Sequence, residues 1–175
     1  MKRLRLILGA SLLAAPWAFS QSPVPAAEEI LKFSLEETRE QIASVLGQPA
    51  QIADASPDYF TWYYQIGVSD NHEHSHLLLF SKKDAELISV TRNFEQAAKL
   101  DGAFPEKETQ TYFWPSAAER TWSVRVRELP GDRLAIAMGV SKPSDLSTQL
   151  LMIRRSAVKT FLQWLAEQLA SKQVR

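Results

Sequence analysis

The sequence predicts an α+β protein, an antiparallel sheet of about seven strands with N-terminal and C-terminal helices packed on one face. Three observations lead there. Apolar runs at 59–66, 77–80 and 86–94 are separated by polar, turn-forming residues. A second set of runs, 110–114, 121–128, 134–140 and 148–155, alternates apolar and polar residues with a period of two. Segments with helical spacing stand before the first set and after the second.

Composition bounds the reading before any element is placed. With 175 residues, 45% hydrophobic and 23% charged, the chain has the makeup of an ordinary globular protein rather than a disordered one. Residues 1–20 read as a signal peptide: Lys2, Arg3 and Arg5 form a basic start, residues 6–19 an apolar stretch, and Ala18 and Ser20 a small-residue cleavage site before Gln21. Residues 21–33, with two prolines, read as a flexible lead-in, and 34–175 as a single domain. The apolar stretch is interrupted by Pro16 and falls short of the roughly 20 residues a spanning helix needs, so no membrane span is expected. Removing Lys2, Arg3 and Arg5 leaves 17 basic against 20 acidic residues, which offers no electrostatic attraction to nucleic acid. There is no cysteine, which excludes disulfides, thiolate metal sites and a thiol nucleophile. Export without disulfides points to a bacterial periplasmic or secreted location.

The elements follow in order. Ser34 with Glu37, and Thr38 with Gln41, each have the hydroxyl-to-acid or amide spacing of a helix-starting capping box. Leu35, Ile42, Val45 and Leu46 then share a helical face, and Gly47 with Pro49 ends the helix. Residues 59–66 and 77–80 predict a long hairpin, extended to a meander by 86–94. Residues 95–109 form a connection. In the second set, pairing Glu128 with Leu134 puts Trp122, Val124 and Val126 on one face with Ile136, Met138 and Val140. Ser123, Arg125 and Arg127 then lie opposite, beside Ala135, Ala137 and Gly139. A slip of one residue would set arginine beside isoleucine on both strands, so this register is favoured. The chain closes with a helix over 156–171, N-capped by Ser156, whose stripe of Val158, Phe161, Leu162, Leu165 and Leu169 needs cover. No internal repeat, low-complexity tract or charge run is visible.

Two groups of residues carry chemistry. His72, His74 and His76 fall in the polar loop of the first hairpin. Histidines two apart on an extended strand point the same way, about 6.6 Å apart, so His72 and His74 are a candidate chelating pair for Zn, Cu or Ni. All three on a straight strand would span about 13 Å, too far for one ion. Arg125 and Arg127, over small residues, are candidates to bind an anion or an acidic partner bidentately. No cofactor fingerprint is present. No Gly-x-Ser-x-Gly elbow presents a serine, and the paired carboxylates Glu36 and Glu37 sit at a helix start where capping accounts for them, so no catalytic residue is assigned.

Residues 38–49, ending Leu46-Gly47-Gln48-Pro49, are followed by Trp62, Tyr63 and Tyr64, then Leu77–Phe80 and Leu87–Val90. In these features residues 34–94 resemble the SmpA/OmlA family, small outer-membrane lipoproteins of the β-barrel assembly machinery. The resemblance implies helices packed on a short antiparallel sheet. This chain lacks the family's lipidated cysteine, and 104–175 has no counterpart in the resemblance. Together these features predict an exported, non-catalytic binding or protein-interaction module whose partner is another extracytoplasmic protein. The alternative is a metal-handling protein acting through the histidine loop.

Overall fold

The structure is a computed structural model that describes residues 34–66, 74–100, 102–115, 121–140 and 146–172. The segments read as signal peptide (1–20) and lead-in (21–33) lie outside the described residues.

Helix α1 spans Arg39–Leu46 and begins at the second of the two candidate caps. Thr38 Oγ1 accepts from the Gln41 N–H at 3.3 Å, and Gln41 Oε1 accepts from the Thr38 N–H at 2.7 Å. This reciprocal pair satisfies two donors that a helix start otherwise leaves without partners. Ser34 and Glu37 form a turn just upstream, joined by Glu37 N–H to Ser34 C=O at 3.1 Å. Gly47 ends the helix at φ 77°, a conformation that costs a residue with a Cβ about 1 kcal/mol or more.

Eight strands follow: β1 (Gln51–Asp54), β2 (Tyr59–Ile66), β3 (His74–Ser81), β4 (Leu87–Lys99), β5 (Thr109–Pro115), β6 (Thr121–Leu129), β7 (Arg133–Val140) and β8 (Leu146–Arg154). They form one antiparallel sheet in the order β1-β2-β3-β4-β8-β7-β6-β5. This is two four-stranded meanders, β1–β4 and β5–β8, joined edge to edge through β4 and β8, so the halves are related topologically by an approximate two-fold. The β6–β7 register pairs Glu128 with Leu134, Val126 with Ile136 and Arg125 with Ala137, as the alternation requires. Strand β1 was not foreseen. It has four residues, all exposed, and shows no alternation for a pattern to reveal.

The expected sheet of about seven strands with two helices on one face is therefore corrected. Among the described residues the sheet has eight strands, the helices are short, and they lie on opposite faces. On one side Leu35 and Ile42 pack with Trp62, Leu78, Phe80, Val90, Leu150 and Met152. On the other, Val158 and Leu165 pack with Val124, Val126, Leu134, Ile136, Leu151 and Ile153. Side chains alternate along a strand, so Leu150 and Met152 face one side and Leu151 and Ile153 the other. A run buried on both faces is what a central strand needs, and each face recruits its own cover.

The single C-terminal helix expected over 156–171 is also interrupted. A 3₁₀ turn at Arg155–Ala157 leads into α2 (Val158–Phe161), Leu162 leaves helical geometry at φ −133°, ψ 56°, and α3 runs over Gln163–Lys172. Ser156 lies inside the turn and does not cap. The break leaves Val158 and Leu165 buried, with Leu162 and Leu169 packed beside them, while Phe161 turns outward against Tyr59.

Candidate functional site

The approximate two-fold explains which surface is left open. On the α1 face, α1 covers the β1–β4 half, and Leu100, Ala103 and Phe104 pack over the β5–β8 half. On the opposite face, α2 and α3 follow β8 and cover the β5–β8 half. After β4 the chain runs straight into Leu100 with no helix, so the β2–β4 half of that face has no equivalent cover among the described residues.

The register aligns the residues of this open half in cross-strand rows. Thr61 pairs with Leu79 and Leu79 with Ser89; Tyr63 pairs with Leu77 and Leu77 with Thr91; Ser75 pairs with Asn93 and Asn93 with Gln149. Tyr63, Leu77, Leu79, Thr91 and Asn93 are half-buried, flanked by the buried Leu151. Gln149 Nε2 donates to Asn93 Oδ1 at 2.8 Å, and Asn93 Nδ2 donates to Ser75 Oγ at 3.4 Å. These bonds hold both amides in fixed orientations and leave donors and an acceptor on them for a partner. Phe161, 37% exposed, stands at the rim, its ring edge-on to Tyr59 with centroids 4.9 Å apart. None of these positions carries a charge, so covering them desolvates no ion.

The residues singled out from the sequence are placed differently. His72 lies outside the described residues, and His74 opens β3 opposite Ile66 and Phe94. His76 is 5% exposed on the α1 face, in register between Tyr64 and Arg92. The side of β3 that carries His76, with Leu78 and Phe80, is the covered one. Among the described residues no three His, Cys, Asp or Glu side chains gather as a metal set would. Arg92 is 1% exposed, with its guanidinium 5.3 Å from the centre of the Phe94 ring.

Arg125 and Arg127 do share a face with Ala135 and Ala137, and Ala103 and Phe104 lie over it. Arg127 Nη1 donates to the Ala103 carbonyl at 3.1 Å, and its Nη2 pairs with Glu108 Oε2 at 2.7 Å. Arg125 Nη2 donates to Ser147 Oγ at 3.2 Å, with its guanidinium 5.3 Å from the centre of the Phe104 ring. The small alanines leave room for this covering segment, and both guanidiniums are engaged by the chain's own groups. Arg154 acts similarly at the far end of β8, donating to the Leu87 carbonyl at 3.1 Å and the Leu35 carbonyl at 2.7 Å.

Sequence reasoning missed Tyr63, Asn93 and Gln149. A signal was present. In β2 the outward set Tyr59, Thr61, Tyr63 is nearly as apolar as the inward set Phe60, Trp62, Tyr64, which is unusual for a strand with one face in water.

No family model and no curated protein matches the chain. Two solved structures are similar at the level of backbone trace. One is a cysteine-rich secretory protein from Staphylococcus aureus, with TM-score 0.46 and 10% identity over 70% of this chain and 45% of that one. The other is an extracellular protein containing an SCP domain from Bacillus anthracis, with TM-score 0.46 and 9% identity over 85% of this chain and 51% of that one. The chain spans about half the length of each.

Proposed function

We propose that this is an exported, non-catalytic interaction module that binds another extracytoplasmic protein through the open face of β2–β4. The observation that supports the reading most is the uncharged, half-buried surface of Tyr63, Leu77 and Leu79, flanked by the Ser75–Asn93–Gln149 row and without a covering helix among the described residues. An apolar centre with an oriented polar margin is the makeup of a protein interface. Export rests on residues 1–20, and N-terminal sequencing of the protein from its native source is expected to begin at or near Gln21. The SmpA/OmlA-like scaffold belongs to the same proposal. It is supported by the Leu46–Pro49 helix end and the meander β2–β4 over residues 34–94, and it favours a partner from the cell envelope.

The test is affinity capture from an extracytoplasmic extract with the wild-type chain and with Leu77→Lys/Leu79→Lys. These side chains are only half-buried, so the variant is expected to fold with a similar melting temperature and to lose a partner that the wild type retains. Equal capture by both proteins would remove the open face from the function.

A further inference from the structure

We propose that the chain self-associates through β5, forming a two-fold dimer in which two sheets join antiparallel at this edge. Strand β5 ends the sheet, and among the described residues nothing pairs with its outer side. Two observations fix which of its groups point outward. The Thr109 N–H bonds to the Glu106 carbonyl and so is not directed at β6. Pro115 has no N–H and is accommodated in an edge strand with its nitrogen turned away from the neighbour. Both residues are odd-numbered, and backbone groups alternate sides along an antiparallel strand. Thr111 and Phe113 therefore present their N–H and C=O groups to the edge.

The two edges of the sheet are built differently. Strand β1 is four residues long and carries Asp54, ion-paired to Lys82 at 2.8 Å, two of the devices by which natural sheets discourage pairing. Strand β5 is seven residues long, contains no charged residue and exposes 61% of Phe113. The only blunting residue is Pro115, at its end.

A second copy fits this edge because the strand is self-complementary. A two-fold through Thr111 sets Thr111 against Thr111 and Phe113 of each copy against Thr109 of the other. Threonine on threonine and aromatic on β-branched are favourable cross-strand pairs. The two Thr111 residues would exchange N–H···O bonds, and each Phe113 N–H would donate to a Thr109 carbonyl. No like charges face one another, since Arg127 beside Thr109 is already neutralised by Glu108. Such an interface is isologous and closed.

Sedimentation equilibrium of the purified chain tests this. Wild type is expected to dimerise reversibly. Thr111→Pro removes an outward N–H without touching the β6 ladder and is expected to weaken the dimer at least about tenfold, while Thr111→Val, which keeps the N–H and the branched side chain, retains it. Phe113→Lys provides an independent disruption should the proline variant fold poorly. A wild type that stays monomeric throughout its soluble range would overturn the proposal. So would a dimer unaffected by both Thr111→Pro and Phe113→Lys, or an edge that binds an added extended peptide and never a second copy.

Discussion

Arg127 shows how a residue that reads as a ligand site serves the fold. Its two contacts, to the Ala103 carbonyl and to Glu108, pin the crossover between the two meanders onto the sheet. Arg127→Met is expected to lower stability by about 1–3 kcal/mol in urea unfolding, because the Ala103 carbonyl loses a charged donor in a partly buried place. Ala85 occupies the left-handed region at φ 57°, where a Cβ is unfavourable. Ala85→Gly is expected to gain about 0.5 kcal/mol in the same measurement, the relief of strain being partly offset by the greater freedom of glycine in the unfolded chain. Burial raises the pKa of the Tyr64 phenol above its ordinary 10.0, and burial together with Glu128 does the same for Tyr112. The folded state thus favours the neutral phenols, and their contribution is fully present below the unfolded value and lost as pH rises through the folded ones. Thermal melts should be insensitive to these groups up to about pH 9 and should fall above pH 10; replacing both tyrosines with phenylalanine should flatten that alkaline fall.

The short elements differ in how much of their geometry is local. Thr38, Gln41, Gly47 and Pro49 lie within a dozen residues and determine α1 almost alone, which is why the helix end was legible. The β6–β7 register was legible for the same reason, since Arg125 and Arg127 cannot exchange sides with Val124 and Val126 without burying charge among the core residues Leu134 and Ile136. The C-terminal helix was legible as an amphipathic segment but not as a broken one, because nothing in its sequence marks Leu162 as the place where it bends onto the sheet. Leu165, 3% exposed, is the deepest side chain of α3, and Leu165→Asp is expected to cost about 3 kcal/mol or more, read as a lower midpoint in urea. A chain truncated after Arg155 that melted at an unchanged temperature would contradict this packing. Gly139 is constrained by close approach rather than by its dihedral angles, since a Cβ there would collide with the Leu146 carbonyl oxygen. Gly139→Ala should therefore destabilise by shifting the start of β8.

At the scale of the whole molecule, the joining of β4 to β8 makes the fold. It pairs Ser89–Asn93 with Gln149–Ile153 and turns two meanders into one sheet, although the sequence carries no visible repeat to announce them. The open half of the second face follows from that union, because among the described residues the helices after the second meander cover their own half and none follows the first. If the open face is the interaction surface, Tyr63→Ala should reduce partner capture while changing the melting temperature little, which differential scanning calorimetry on the same preparation would verify.

The sequence by itself determined what depends on neighbours along the chain: where α1 stops, that the apolar runs in 59–66, 77–80, 121–128 and 134–140 are strands, and how β6 meets β7 across a short turn. The period of two in a strand and the spacing of caps are local quantities, so they are written where they act. Only the tertiary structure decided which face each helix covers, that Ala103 and Phe104 lie over the arginines, and that among the described residues no helix covers the second face of β2–β4. An apolar stripe states that it must be buried and says nothing about which of two apolar faces receives it. Since Leu150–Ile153 offers an apolar surface to both, long-range packing alone makes that choice.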